Sequence, residues 1–88
     1  QKPRYVRINT LVMSVEDAIE GFKEDGYELL PRAKNYREFL DVVSTLANIS
    51  YPAFIQDFHV DELFAFPPGT QFYNHPGYKS GAIVLQDK

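Results

Sequence analysis

The sequence predicts an α+β domain, a small sheet with its helices on one face. Three observations carry this expectation. The chain opens on a period-two alternation, continues through two capped stripes of helical period, and closes on three short apolar runs bounded by turn residues. Eighty-eight residues are expected to make one small domain with no room for a second hydrophobic core. An apolar fraction of 44% with seven Phe and six Tyr is enough to fill that core, so disorder is not expected.

Residues 4–9 alternate, with Val6 and Ile8 on one side and Tyr5, Arg7 and Asn9 on the other, the pattern of a half-buried strand. Ser14 then offers an N-cap oxygen, and Asp17 places an acid near the positive end of the helix that follows. Val15, Ala18, Ile19 and Phe22 repeat at i, i+3, i+4 and i+7, and Gly26 supplies the stop. Gly21 inside this helix costs about 1 kcal/mol relative to alanine. A second helix is expected from the cap Asn35, with Glu38 at the third helical position and an apolar stripe of Phe39, Val42, Val43 and Leu46. After Pro52 two runs, residues 53–58 and 63–66, read as strands joined by a turn at 57–62, and Pro67-Pro68-Gly69 ends the second. Residues 69–81 read as a loop, and 82–85 begin a final strand.

The absence of cysteine excludes disulfides, thiolate metal sites and a thiol nucleophile. No apolar run reaches the ~20 residues of a membrane helix. Opening at Gln1 and stopping within an apolar run, the chain is expected to be cut from a longer polypeptide, and on its own to be monomeric. The net charge of −3 argues against a free-standing nucleic-acid binder. Its distribution matters more. Glu16, Asp17, Glu20, Glu24, Asp25 and Glu28 form a solvated acidic face, whereas Lys2, Arg4 and Arg7, and again Arg32, Lys34 and Arg37, lie in stretches without an acid.

Phosphates need cationic donors and unpaired bases need flat surfaces, and Tyr5 and Arg7 with Lys2 and Arg4 beside them supply both. The same face could instead pack against another domain. Tyr73, Tyr78 and Lys79 form a second aromatic and basic set with the same two readings. Asp57-x-His59-x-Asp61 has alternate-residue spacing that a metal could use, but turn chemistry explains it and structural sites assemble four ligands, so no metal is expected. His75 precedes Pro76 with no nucleophile or orienting carboxylate in view, and reads as a polar turn residue.

Pro3-Arg4-Tyr5-Val6-Arg7-Ile8-Asn9-Thr10-Leu11 with its short helix resembles the opening of the pre-catalytic domain of NSUN-type (NOL/NOP/Sun) RNA (cytosine-5) methyltransferases. Leu63-Phe64-Ala65-Phe66-Pro67, and His75-Pro76-Gly77-Tyr78-Lys79-Ser80-Gly81 running on to Gln86 and Asp87, resemble that family's approach to its catalytic domain. The His-Pro-x-Tyr-Lys-Ser-Gly spelling is closest to the subfamily acting on large-subunit ribosomal RNA. The resemblance implies a fold like an RNA-recognition motif or ferredoxin-like domain over residues 1–81, with 82–88 as the first strand leading into a Rossmann-type methyltransferase domain. It implies RNA contact, with Lys2, Arg4, Tyr5, Arg7, Arg32, Lys34, Tyr78 and Lys79 as candidates, and a seam with the catalytic domain at Gln86 and Asp87. The donor would be S-adenosylmethionine, bound elsewhere in the parent enzyme, and a nucleolar location follows from the ribosomal substrate. With no cysteine and no Gly-x-Gly, these residues are not expected to catalyse the reaction. The rival expectation is a structural or protein-interaction domain without RNA binding, presenting an exposed aromatic patch drawn from Phe58, Phe64, Phe66 and Phe72.

Overall fold

In the computed structural model, which describes residues 2–48, 52–72 and 75–86, the opening alternation becomes β1 (Arg4–Ile8). The first stripe becomes α1 (Val15–Glu24), where the Ser14 hydroxyl accepts the Asp17 N–H at 3.1 Å. Gly26, at φ +97°, makes the left-handed turn after it, a conformation that costs a side chain dearly. A two-residue strand, β2 (Glu28–Leu29), precedes α2 (Tyr36–Leu46). Asn35 caps α2 by accepting the Glu38 N–H at 3.0 Å, and Glu38 reaches back to accept the Lys34 N–H at 3.1 Å. Then come β3 (Ala53–Gln56), β4 (Leu63–Phe66), a single turn of helix α3 (Pro76–Lys79) and β5 (Ile83–Gln86).

The strands order β2-β3-β4-β1-β5, antiparallel except for β2 beside β3. Without β2 and α2 the chain runs β-α-β-β-α-β with strand order β3-β4-β1-β5, the ferredoxin-like arrangement that the resemblance implied. The pair β2–α2 is an insertion into it.

That insertion changes where the helices sit. β1, β2 and β3 all run in one direction; the chain travels outward from β1 to the edge at β2, then back to β3. Parallel crossovers are right-handed, so two helices on journeys of opposite sense fall on opposite faces. The side chains agree. Val6, Ile8, Phe54, Phe64, Phe66 and Ile83 form one core with Ala18 and Phe22 of α1 and with Phe72. The alternate positions Ala53, Ile55 and Ala65, with Tyr5 beside them, form a second core with Phe39, Val43 and Leu46 of α2. Both helices and a single core were expected on one face; the structure puts a helix and a core on each, because α2 covers the second face, within the same α+β class.

Two further differences concern the C-terminal third. The expected loop at 69–81 contains α3, whose capping residue is His75: Nδ1 accepts the Gly77 N–H at 2.9 Å, and Nε2 lies 2.6 Å from Asp25 Oδ2 at the end of α1. Residues 82–86 do not lead away from the domain. β5 pairs with β1 along Tyr5–Gln86 to Ile8–Ile83, so the sheet's own edge strand lies beyond the expected boundary at 81.

Candidate nucleic-acid interface

α2 covers the β3–β4 half of its face and leaves the β1–β5 half open. Between the helix and that half runs a groove of about 910 Å³, lined by Lys2, Arg4 and Tyr5 from the start of the chain, Tyr36, Phe39 and Leu40 from α2, and Gln86 from β5. Tyr5 and Gln86 are register partners, and Arg7 and Val84 form the next pair along. Tyr36 is 56% exposed, Leu40 41% and Val84 43%, so this face carries more apolar surface than its helix covers. Burial raises the Tyr5 phenol above its ordinary value of 10.0, with smaller contributions from Tyr36 and from the Asp57 carboxylate.

The structure brings three of the sequence-predicted residues, Lys2, Arg4 and Tyr5, to this groove, together with the seam candidate Gln86. Arg7 is held by Glu62 at 3.1 Å. Arg32 donates from Nε to the Asp57 carbonyl at 2.8 Å and from the other end of its guanidinium to Asp61 at 2.8 Å, tying the chain ahead of α2 to the β3–β4 hairpin. Lys34 is exposed just ahead of α2. Tyr78 packs against the core on the α1 face, away from the groove, and Lys79 is exposed beside it. Tyr73 and Asp87 lie outside the described residues.

Of the Asp57-x-His59-x-Asp61 set, His59 Nδ1 lies 3.0 Å from Asp57 Oδ2, while Asp61 is engaged elsewhere. Asp57, fully buried, accepts the His59 and Val60 N–H groups on Oδ2 at 3.1 and 3.0 Å, an Asx turn that shapes the hairpin, while Asp61 holds Arg32. No group of three or more potential metal ligands occurs among the described residues. The aromatic patch expected of a docking module is also not there: Phe64, Phe66 and Phe72 are core residues, and Phe58 is half-buried against Tyr36 and Phe39.

Residues 2–86 match the sequence model of NOL1/NOP2/Sun domain family member 5, ferredoxin-like domain. The chain belongs to this family. It is 38% identical over its full length to the mouse 28S rRNA (cytosine-C(5))-methyltransferase, and 33% identical over 98% of its length to a Drosophila melanogaster protein of the same description. It is 30% identical over its full length to the Caenorhabditis elegans 26S rRNA (cytosine-C(5))-methyltransferase. It spans only 17 to 20% of the length of these relatives. Within this NOL1/NOP2/Sun ferredoxin-like domain, the groove residue that sequence reasoning missed is Tyr36. Its signal was present: Tyr36 and Leu40, at i and i+4, widen the apolar arc of α2 beyond the stripe that a single sheet contact needs.

S-adenosylmethionine, which the relatives' descriptions imply, does not fit the described residues. The donor is a sulfonium cation with a ribose that proteins grip through an acid, and this groove offers two cations and no carboxylate. The second concavity, between Ser14, Glu16, Arg32, Gln56 and Asp61, has no Gly-rich turn after a strand.

Proposed function

We propose that this domain is the RNA-positioning, non-catalytic part of an S-adenosylmethionine-dependent ribosomal RNA (cytosine-5) methyltransferase. Family membership over residues 2–86 is the observation that carries the reading, with relatives described as 28S and 26S rRNA (cytosine-C(5))-methyltransferases. Its own residues support the division of labour. The chemistry of cytosine C5 methylation calls for a thiolate that adds to the ring, and this chain has no cysteine. What it offers is surface: Lys2 and Arg4 at a groove with aromatic walls for RNA, and a Gln86 edge facing whatever packs beside β5. Such a protein would act where ribosomal RNA is made, in the nucleolus. No helix among the described residues is long and apolar enough to cross a membrane.

The test uses a longer protein carrying this domain, assayed for methyl transfer to a ribosomal RNA fragment. Lys2→Glu with Arg4→Glu is expected to raise KM for RNA and leave kcat unchanged. Removing two phosphate contacts should also flatten the salt dependence by about 1.4 in logarithmic slope, at roughly 0.7 per contact for a single strand. An unchanged KM and an unchanged slope at low salt would dismiss the RNA-facing role. The exposed Tyr36, Leu40 and Val84 favour a second reading, in which the same face docks on the neighbouring domain without touching RNA. In that case the double variant loosens the domain interface and leaves the salt slope where it was.

A further inference from the structure

An RNA-recognition motif stacks unpaired bases on aromatic side chains in the middle of its open sheet face. Here that middle, β4 and β1, is half closed: α2 lies over β4 and its neighbour β3 and leaves Tyr5 of β1 at the groove. Ala53, Ile55 and Ala65 lie beneath α2, wholly buried, and they are aliphatic. A single strand held on this face is therefore left the uncovered strip beside α2, where cations and an exposed ring coincide.

We propose that the groove between α2 and the β1–β5 edge binds an unpaired nucleotide of single-stranded RNA, its base stacked on Tyr36 and its phosphates at Lys2 and Arg4. This rests on the RNA-facing reading above and gives it a location and a ligand class. Tyr36 is 56% exposed, yet its ring is backed by Phe58 at 5.6 Å between centroids, and Phe58 is backed in turn by Phe39 at 6.0 Å. The Tyr36 ring thus leans on Phe58 at a tilt of 54° while more than half of the residue stays exposed, and such contact reduces the side-chain freedom lost on stacking. The lining contains two cations and no acid, which suits an anionic ligand such as a phosphodiester backbone. Lys34 and Arg37, two residues before and one after Tyr36 in sequence, are both exposed, but neither lines the groove. The Gln86 amide presents a donor and an acceptor of the kind that reads a base edge.

The other basic sites lack one of these ingredients. Arg32 is engaged by Asp61 in a concavity that also contains Glu16. Lys79 is followed by no ring in sequence, and its neighbour Tyr78 packs against the core on the α1 face.

The experiment titrates this chain with fluorescein-labelled octamers of cytidylate and of uridylate at about 50 mM salt, where phosphate contacts count most. Amide chemical shifts are followed in parallel. Tyr36→Ala is expected to weaken binding about 5-fold or more, as loss of a stacking ring does. Tyr36→Phe should stay within about twofold of the parent, and Lys79→Gln should be unchanged. Because the chain has no tryptophan, Tyr36→Trp supplies a single indole whose emission should quench on RNA addition, so the site can be read even if the alanine variant folds poorly. Shift changes should gather at Tyr36, Leu40 and Gln86. Equal affinity of Tyr36→Ala and parent, an unquenched indole, or shifts gathered around Arg32 or α3 would overturn the groove while leaving RNA positioning intact. No binding of either octamer by a folded chain, with the groove's amides shifting instead when the purified remainder of the parent protein is added, would overturn both.

Discussion

On the α1 side of the sheet five phenylalanines interlock: the Phe22 ring meets Phe54 at 5.3 Å and Phe66 at 4.9 Å edge-on, Phe54 stacks on Phe66 at 5.1 Å, and Phe64 and Phe72 complete the set. On the α2 side the sheet contributes Ala53, Ala65 and Ile55, small enough for the helix to settle closely over half the face and leave the other half open. One face invests its largest side chains in mutual contact, worth about 0.5–1.5 kcal/mol per aromatic pair beyond area burial. The other buries a single ring, Phe39, and keeps Tyr5, Tyr36 and Phe58 at the margin. On the proposed reading, stability and recognition fall to opposite sides of one sheet.

That contrast breaks most directly at its centre. Phe22→Ala removes the ring shared by four other phenylalanines and should cost about 3–5 kcal/mol. A domain of this size has little more than that to lose. Phe39→Ala, equally buried but bordering the groove, should cost about 2–3 kcal/mol, because neighbours and water can close over the gap. Urea denaturation of both variants decides the point, and a Phe39 variant as unstable as the Phe22 variant would erase the distinction.

Asp57→Ala should rank next, near 2 kcal/mol, because it strips the His59 and Val60 N–H groups of their acceptor in the hairpin under α2. Amide exchange at those two residues should rise well before the α1 core loosens.

The smallest expected effect is on the alkaline side. Burial holds the Tyr5 phenol protonated more firmly than in the unfolded chain, so its contribution is intact below pH 10.0 and is lost as pH rises through that value, when the unfolded state ionises first. Tyr27 behaves likewise, raised by burial and then by Asp25. Tyr5→Phe should therefore lessen the loss of stability above that pH without abolishing it. Identical alkaline slopes for variant and parent would place Tyr5 in the water of the groove instead of its wall.

Much of this fold was legible because the signals were local. The Ser14 and Asn35 caps, the stripes after them and the alternation of β1 each depend on neighbours within a few residues. β2 was not legible, since two residues cannot display a period. α3 was hidden because Pro76 and Gly77 read as loop, yet proline is at home in a first helical turn, and at Gly77 an added Cβ would sit 2.6 Å from the Ile83 side chain. The face chosen by α2 was out of reach for a different reason: it follows from strand order, a property of the whole sheet that the apolar stripe does not encode. The site followed the same rule. Lys2, Arg4 and Tyr5 stood out through local charge and alternation, whereas Tyr36 gains its role only once α2 is seen to cover half a face.

The position of β1 sets a schedule for the chain's assembly. Its partners are β4 and β5, so Val6 must wait for Phe64 and Leu85, and no early hairpin can satisfy it. Loop closure over such separations precedes any reward in contacts, which makes this topology slower to fold than a helical bundle of the same size. As the polypeptide leaves the ribosome, its first strand stays unzipped on one side until residues near Gln86 emerge. A chain stopped at residue 81 would bring Val6 and Ile8 to an open edge, ready to pair with a stranger.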